Sequence, residues 1–263
     1  MRSVTDAPAP TTAAFRPPVG LALGSLLRAD LLVLLRSRVS AILSILLPII
    51  IIVFTTFGKA QTRLGGSGEI IGLALSIGLI TSCLLGYSLT LARDREVGVL
   101  QRLRVSPAPT WTIMTSRLTI QVAANLVGSL AVIIVGAILH HLSLSPLQYV
   151  LLLATAVLGA AVFLALGQAL VALVRTTGAI NAIGRILFIV LLLTGLLGGS
   201  GVLGDTMQSI ADWTPVGALM ILFSDVVSAA AWSGQDTNAL LACVGYVVVF
   251  TFIGIRWFRW ESH

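Results

Sequence analysis

The sequence predicts an all-α polytopic membrane protein with six transmembrane helices. Three observations carry that reading: 57% hydrophobic against 10% charged residues, a mean hydropathy of +1.03, and six long runs free of charge. Soluble domains carry about 25% charged residues, so a chain of 263 residues with 16 basic and 10 acidic groups cannot clothe a water-facing surface. Lipid is the solvent that remains. Intrinsic disorder is excluded by the same figures, because it needs low hydrophobicity and high net charge.

Crossing a hydrocarbon core takes about 20 mostly apolar residues. The runs that qualify are 41–57, 70–92, 119–139, 147–174, 186–199 and 239–255. The first is the shortest at its charge-free core and contains Pro48. A seventh apolar stretch, 216–232, contains Asp225 and follows Asp205, Asp212 and Pro215; the reading is a broken segment, about 204–232, that enters the membrane without crossing it.

Lys and Arg accumulate in cytoplasmic loops. With both termini inside, 14 of the 16 basic residues fall on one side, and only Lys59 and Arg63 on the other, together with Asp205, Asp212, Asp225 and Asp236. A crossing at 216–232 would put Arg256 and Arg259 outside, so six spans fit better than seven. The net charge of +6 is thereby explained as membrane orientation, with anionic inner-leaflet lipid as a partner and no nucleic acid. The predicted residence is a plasma or inner membrane.

Residues 1–18, rich in Pro, Ala and Thr, read as a mobile cytoplasmic tail without the pattern of a signal peptide. Residues 19–38 read as an interfacial helix, with Leu23, Leu26, Leu27, Leu31, Leu34 and Leu35 on one face and Ser25, Arg28 and Arg36 opposite. Asp30 falls on the apolar side, where a protein surface rather than lipid would accommodate it. Residues 39–260 form the six-span domain.

Polar side chains inside spans normally face the bundle interior. Arg117, Gln121 and Asn125, spaced by four, carry such groups along the third span. A translocation path and an interhelical polar network are equal readings for them, and Ser82 and Asn181 join them as candidates. Gly78, Ser82, Gly86 and Thr90 also repeat every four residues, a small-residue face that suits close helix packing. Gly195, Gly198 and Gly199 loosen the end of the fifth span, either as a hinge of an outer gate or as a plain helix terminus.

Enzymatic chemistry finds little support. Cys83 and Cys243 lie inside spans, and His140, His141 and His263 have no ligand spacing, so no metal site is expected. The lone lysine, Lys59, is not set in a glycine-rich phosphate loop. The expectation is a chain without a catalytic site, binding no cofactor, so that energy from ATP would arrive through another polypeptide.

The most informative segment lies between the second and third spans. Arg93, Asp94, Arg95, Glu96, Gly98, Leu100, Arg102, Leu103, Ser106 and Pro107 belong to a stretch, 93–107, whose apolar residues recur at three-to-four-residue spacing. It predicts a short amphipathic helix stopped by Pro107. Interspersed acidic and basic groups around an apolar stripe suit docking into a protein groove. In Asp94-Arg95-Glu96, Gly98, Leu100, Arg102-Leu103 and Ser106-Pro107, the chain resembles the permease subunits of type-2 ATP-binding-cassette exporters, particularly those of the daunorubicin-resistance kind. A second similarity is Asp212-Trp213-Thr214-Pro215 before the last span, where that family commonly has asparagine-proline; Thr214 departs from it.

The resemblance implies that 93–106 is a coupling helix docking on a separate nucleotide-binding ATPase subunit that holds ATP and Mg. It also implies that 19–38 is a connecting helix, that Asp212, Trp213 and Pro215 belong to the outer gate, and that a second permease, identical or related, completes the pathway. An amphipathic drug or lipid is the expected cargo, because no acidic residue lies in the core of the six spans. A secondary transporter and a non-transporting membrane scaffold or sensor are the competing readings.

Overall fold

A computed structural model describes residues 19–36, 38–57, 66–99, 110–199 and 204–257. The predicted tail at 1–18 lies outside the described residues, as do Leu100, Arg102, Leu103, Ser106 and Pro107 of the docking segment and the basic residues Lys59, Arg63 and Arg259. The elements in order are α1 (Val19–Arg36), α2 (Arg38–Phe57), α3 (Ser67–Leu79), a π-helical segment (Ile80–Tyr87), α4 (Ser88–Glu96), α5 (Thr110–Leu139), α6 (Pro146–Leu173), α7 (Thr177–Gly199), α8 (Asp205–Asp212), α9 (Pro215–Val227) and α10 (Gly234–Trp257).

Among the described residues, five helices are long and apolar enough to cross a membrane: Ser67–Glu96, which is α3, the π segment and α4 in one run, then α5 from Thr112, α6, α7 to Leu196, and α10. The first predicted span is α2, 20 residues long with Pro48 inside it. Its described apolar run, Ile45–Thr56, is shorter than the other five. Asp225 sits in α9, whose 13 residues reach only about 20 Å at 1.5 Å per residue.

The second predicted span, 70–92, extends to Glu96. The expected separate helix from Arg93 is corrected here: Arg93 to Glu96 form the last turn of α4, the chain turns at Val97 and Gly98, and helical conformation resumes only at Val99. Gly98 has φ of 74°, a left-handed conformation that glycine adopts without steric cost. The turn closes with Val97 N donating to Arg93 O and Gly98 N to Arg95 O.

Run α3–π–α4 is the central post of the bundle. Ile70, Ile71, Leu75, Leu79, Ile80, Leu84 and Leu91 are all but sealed from the surface, together with Phe163 of α6 and Phe223 of α9. Alongside α3 runs α9 in the opposite direction: a Cβ on Gly68 would meet Ser224 at 3.0 Å, and one on Gly72 would meet Phe223 Cβ at 3.1 Å. Farther down, Leu219 of α9 and Leu79 press on Gly159 of α6, and Val216 presses on Gly195 of α7. Thus α8 and α9 form a helical hairpin whose turn lies partway along the long helices, in keeping with the predicted broken segment.

Along the small-residue face, Gly78, Ser82 and Gly86 are half-buried and Thr90 is exposed, and Ser82 accepts from Gln121 of α5; close approaches of α9 fall at Gly68 and Gly72. Gly195 likewise serves contact with α9.

Local signals explain the ends. Ser145 caps α6 in a reciprocal capping box with Gln148, followed by Pro146 at the first helical position. Thr214 caps α9, accepting from Gly217 N at 3.1 Å and donating to Ala211 O at 2.7 Å, with Pro215 next. Threonine and asparagine share that capping role, so the departure from asparagine at 214 keeps the turn.

Within the hairpin, α8 crosses so close to α9 that a Cβ on Gly217 would run into the backbone carbonyl of Ala211. Gly217→Ala is therefore expected to destabilise the protein by about 1–3 kcal/mol, read as a lower midpoint of thermal unfolding in detergent. Gly245→Ala, where nothing lies within 4 Å, is the control and should be neutral or slightly stabilising. Equal midpoints for the two variants would contradict so close a crossing.

Candidate functional site

Two clusters of polar residues occupy opposite ends of the bundle. The first is built on the last turn of α4, where consecutive residues point about 100° apart. Asp94, Arg95 and Glu96 therefore reach three different neighbours. Asp94 pairs with Arg117 Nη1 on α5. Arg95, only 4% exposed, donates from Nη1 to Val171 O at 2.7 Å, and from Nη2 to Val174 O at 2.9 Å and Arg175 O at 2.7 Å. Glu96 Oε1 accepts from Thr177 N at 2.8 Å.

Helix ends explain why these residue types stand there. The final carbonyls of α6 have no partner within their helix and carry the negative end of its dipole, so they suit a guanidinium. The opening N–H groups of α7 are the complementary case and suit a carboxylate. One dipeptide thus closes both sides of the α6–α7 turn. Arg93 and Val97 are exposed, with Val97 at 73%.

Of the residues expected to dock, Asp94, Arg95 and Glu96 therefore have their side chains engaged within the chain. Arg93 faces outward, and Gly98 makes the turn.

Further along α5 the predicted polar face meets the π segment. Gln121 Nε2 donates to Ser82 Oγ at 2.9 Å, and Asn125 Nδ2 to Gln121 O at 2.7 Å. Of these candidates, Gln121 and Ser82 meet across two helices, Asn125 bonds back to Gln121 within α5, and Arg117 pairs with Asp94 of α4. Asn181, half-buried near the start of α7, stands apart from them. Widening a helix to the π form shifts its ladder and often marks functional sites; here it coincides with the segment that receives Gln121.

In three contacts the sequence did not name the partner. Gln168 Nε2 donates to Tyr87 OH at 3.3 Å, the Arg95 bonds reach carbonyls that any residue could supply, and Ser116 Oγ of α5 donates to Asp30 of α1. The last gives Asp30 the protein surface its position called for.

At the opposite end, Gln148 Nε2 donates to Val226 O at 2.9 Å and Val227 O at 3.1 Å, tying α6 to the end of α9. A cleft of about 190 Å³ lies beside them, lined by Glu69, Gln208, Asp212, Ser224, Asp225 and Gln235. A neighbouring cleft of about 230 Å³ shares Asp212 and Gln235 and adds Trp213 and Asn238. Asp212 accepts from Gln235 Nε2 at 3.3 Å, and Trp213 O from Tyr246 OH at 2.8 Å. The expected gate residues Asp212 and Trp213 thus border one region, with Pro215 buried at the start of α9. Gly198 and Gly199 fall in the last turn of α7.

Asp236, 2% exposed, accepts from Ser233 N at 2.7 Å and Ser233 Oγ at 2.9 Å, and Asp225 faces it. Burial first, and the adjacent Asp236 carboxyl second, push Asp225 up from 3.8 to about 6. Burial also pushes Asp212 up.

Long apolar helices around a buried apolar post define an all-α polytopic membrane protein. The family model described as ABC-2 type transporter matches residues 22–226, and the chain belongs to that family. It is also 25% identical over 178 residues to the protein named "Putative transport permease YvfS" of Bacillus subtilis (strain 168), covering 65% of this chain and 69% of that protein. The chain is accordingly a membrane subunit of an ATP-binding-cassette transporter.

The Asp225 shift has a fixed sign. A carboxyl raised on folding favours the folded state while protonated, and that contribution is lost as pH climbs through about 6. Thermal midpoints in detergent should rise between pH 7 and pH 5, and Asp225→Asn should flatten that rise and be the more stable protein at pH 7. A variant with the unaltered slope would remove Asp225 as its source.

Proposed function

We propose that the chain is the permease of an exporter, moving an amphipathic drug- or lipid-like substrate outward while a separate nucleotide-binding subunit holds ATP and Mg and hydrolyses the nucleotide. The observation that carries this reading is the junction at Gly98: the first residues of the segment resembling a coupling helix, Asp94, Arg95 and Glu96, are bonded to α5, α6 and α7, and the rest of that segment follows the turn. A segment meant to transmit movement needs a rigid root.

Orientation follows from the charges. The 14 basic residues assigned to one side include Arg93, Arg95, Arg117, Arg175 and Arg256, so the Arg95 end faces the cytoplasm and the clefts at Asp212 and Asp225 face outward. The hairpin α8–α9 then enters the membrane from outside and closes the pathway. Its pieces are too short to span, and Leu219 of α9 lies beside Gly159 of α6. A second permease, identical or related, supplies the other wall. Exposed apolar side chains on α7 (Ile186, Ile189, Leu193) and α10 (Leu241, Val248, Phe252) are available to it and to lipid.

Two measurements test the reading. Affinity purification in mild detergent should bring down a soluble ATPase with a phosphate-binding loop, whose activity the permease stimulates; recovery of the chain alone would overturn the assignment. With Asp205→Cys and Arg102→Cys, an impermeant maleimide applied to intact cells should label position 205 and spare 102. The reverse pattern would invert the topology.

A further inference from the structure

We propose that Arg95 is a positioning residue for energy coupling: it locks the root of the segment beyond Gly98 to the α6–α7 turn, so that displacement of that segment is delivered to α6 and α7. This rests on the exporter reading and adds the route by which movement enters the membrane domain.

Several observations on different elements support it. Gly98, in a left-handed conformation, separates α4 from the docking segment, so the backbone changes direction there. On the membrane side of the root, the π segment Ile80–Tyr87 departs from regular α-helical bonding and is the place where the run Ser67–Glu96 would yield. Between these two weak points lies α4, nine residues long. Left to itself, so short a helix would absorb a push by tilting or fraying.

Arg95 prevents that by three donated bonds to carbonyls of 171, 174 and 175. Those carbonyls end α6 and lead into α7, whose first N–H is held by Glu96. The Asp94–Arg117 pair ties α5 to the same turn. Burial matters as much as geometry: a guanidinium 4% exposed cannot trade these partners for water, so the bonds are stiff. The planar fork is also specific, because lysine offers a point charge in place of several donors fixed in one plane.

Arg95 is directed into the bundle, so its substitution leaves the exposed Arg93 and Val97 unchanged. That separates transmission from attachment. Two reporters make the separation measurable. Val97 is exposed beside Gly98, and Gly178 is exposed near the start of α7 with nothing within 4 Å of an added Cβ. The native Cys83 and Cys243 are buried.

The experiment uses the permease–ATPase complex in nanodiscs, with Val97→Cys or Gly178→Cys as the reporter. Maleimide labelling rates are compared without nucleotide, with ATP and with ATP plus vanadate. Both reporters should respond to nucleotide in the otherwise unchanged chain. With Arg95→Lys or Arg95→Met, co-purification and the Val97→Cys response should persist, while the Gly178→Cys response falls roughly tenfold, the shift expected from losing about one charge-assisted hydrogen bond. Glu96→Ala, an exposed change that leaves Thr177 N to water, should lower the Gly178→Cys response in the same direction and by less.

An undiminished Gly178→Cys response in the Arg95 variants overturns the proposal. Should those variants fail to assemble, an undiminished response in Glu96→Ala overturns it equally. Absence of any Val97→Cys response in the unchanged chain instead removes the exporter reading, since the segment would then not be driven by nucleotide.

Discussion

The bundle depends on satisfying helix ends where water is scarce. Each helix leaves its first N–H and last C=O groups without partners, and in a low-dielectric setting an unpaired group costs more than an average hydrogen bond returns. Here many of those groups are taken by side chains from other helices. Arg95 and Glu96 of α4 close the end of α6 and the start of α7, and Gln148 of α6 closes the end of α9. Each such bond fixes one helix against another. End satisfaction and tertiary registration are therefore a single event, which is why a two-residue stretch can set the relation of three long helices.

Close packing supplies the second constraint. Lipid is as apolar as the helices, so helix association draws on van der Waals contact and hydrogen bonds rather than on removal of apolar surface from water. Glycines at 68, 72, 159, 195 and 217 let α9 settle among α3, α6, α7 and α8. The hairpin's position is thus written in absences of side chains on its neighbours. Asp225 and Asp236 meet at its upper end because that packing brings the end of α9 against the start of α10, and the resulting repulsion is tolerated with one carboxyl held up near 6.

The helices were legible because bilayer thickness dictates the length of apolar runs, a constraint visible in one sequence. Their ends were not. Asp94, Arg95, Glu96 and Asp236 look like loop residues by charge, yet they continue helices because partners satisfy them. Those partners lie 76 to 81 positions away for Arg95 and Glu96, and most are backbone groups with no identity to read. The polar face of α5 was legible by its spacing of four. Its meeting with Ser82 depends on the π register of Ile80–Tyr87, and nothing in that string of small and apolar residues signals such a register. The small-residue face at 78–90 showed in its spacing, but spacing alone does not say which neighbour meets it, and at Ser82 that neighbour is α5.

The division at Gly98 changes what the charged motif means. Mixed charge around an apolar stripe was an argument for docking into a protein groove, with Asp94 and Glu96 as its evidence. Both now have partners within the chain, Arg117 and Thr177, so their presence needs no second protein. The acidic residues belong to the root, so an argument for docking can no longer rest on them. Docking surfaces and roots face different demands: the first must be exposed and exchange partners, the second must be buried and keep them. A glycine in left-handed conformation directly after those residues lets the backbone change direction without disturbing the bonds they make, so the demands of a root end at Gly98.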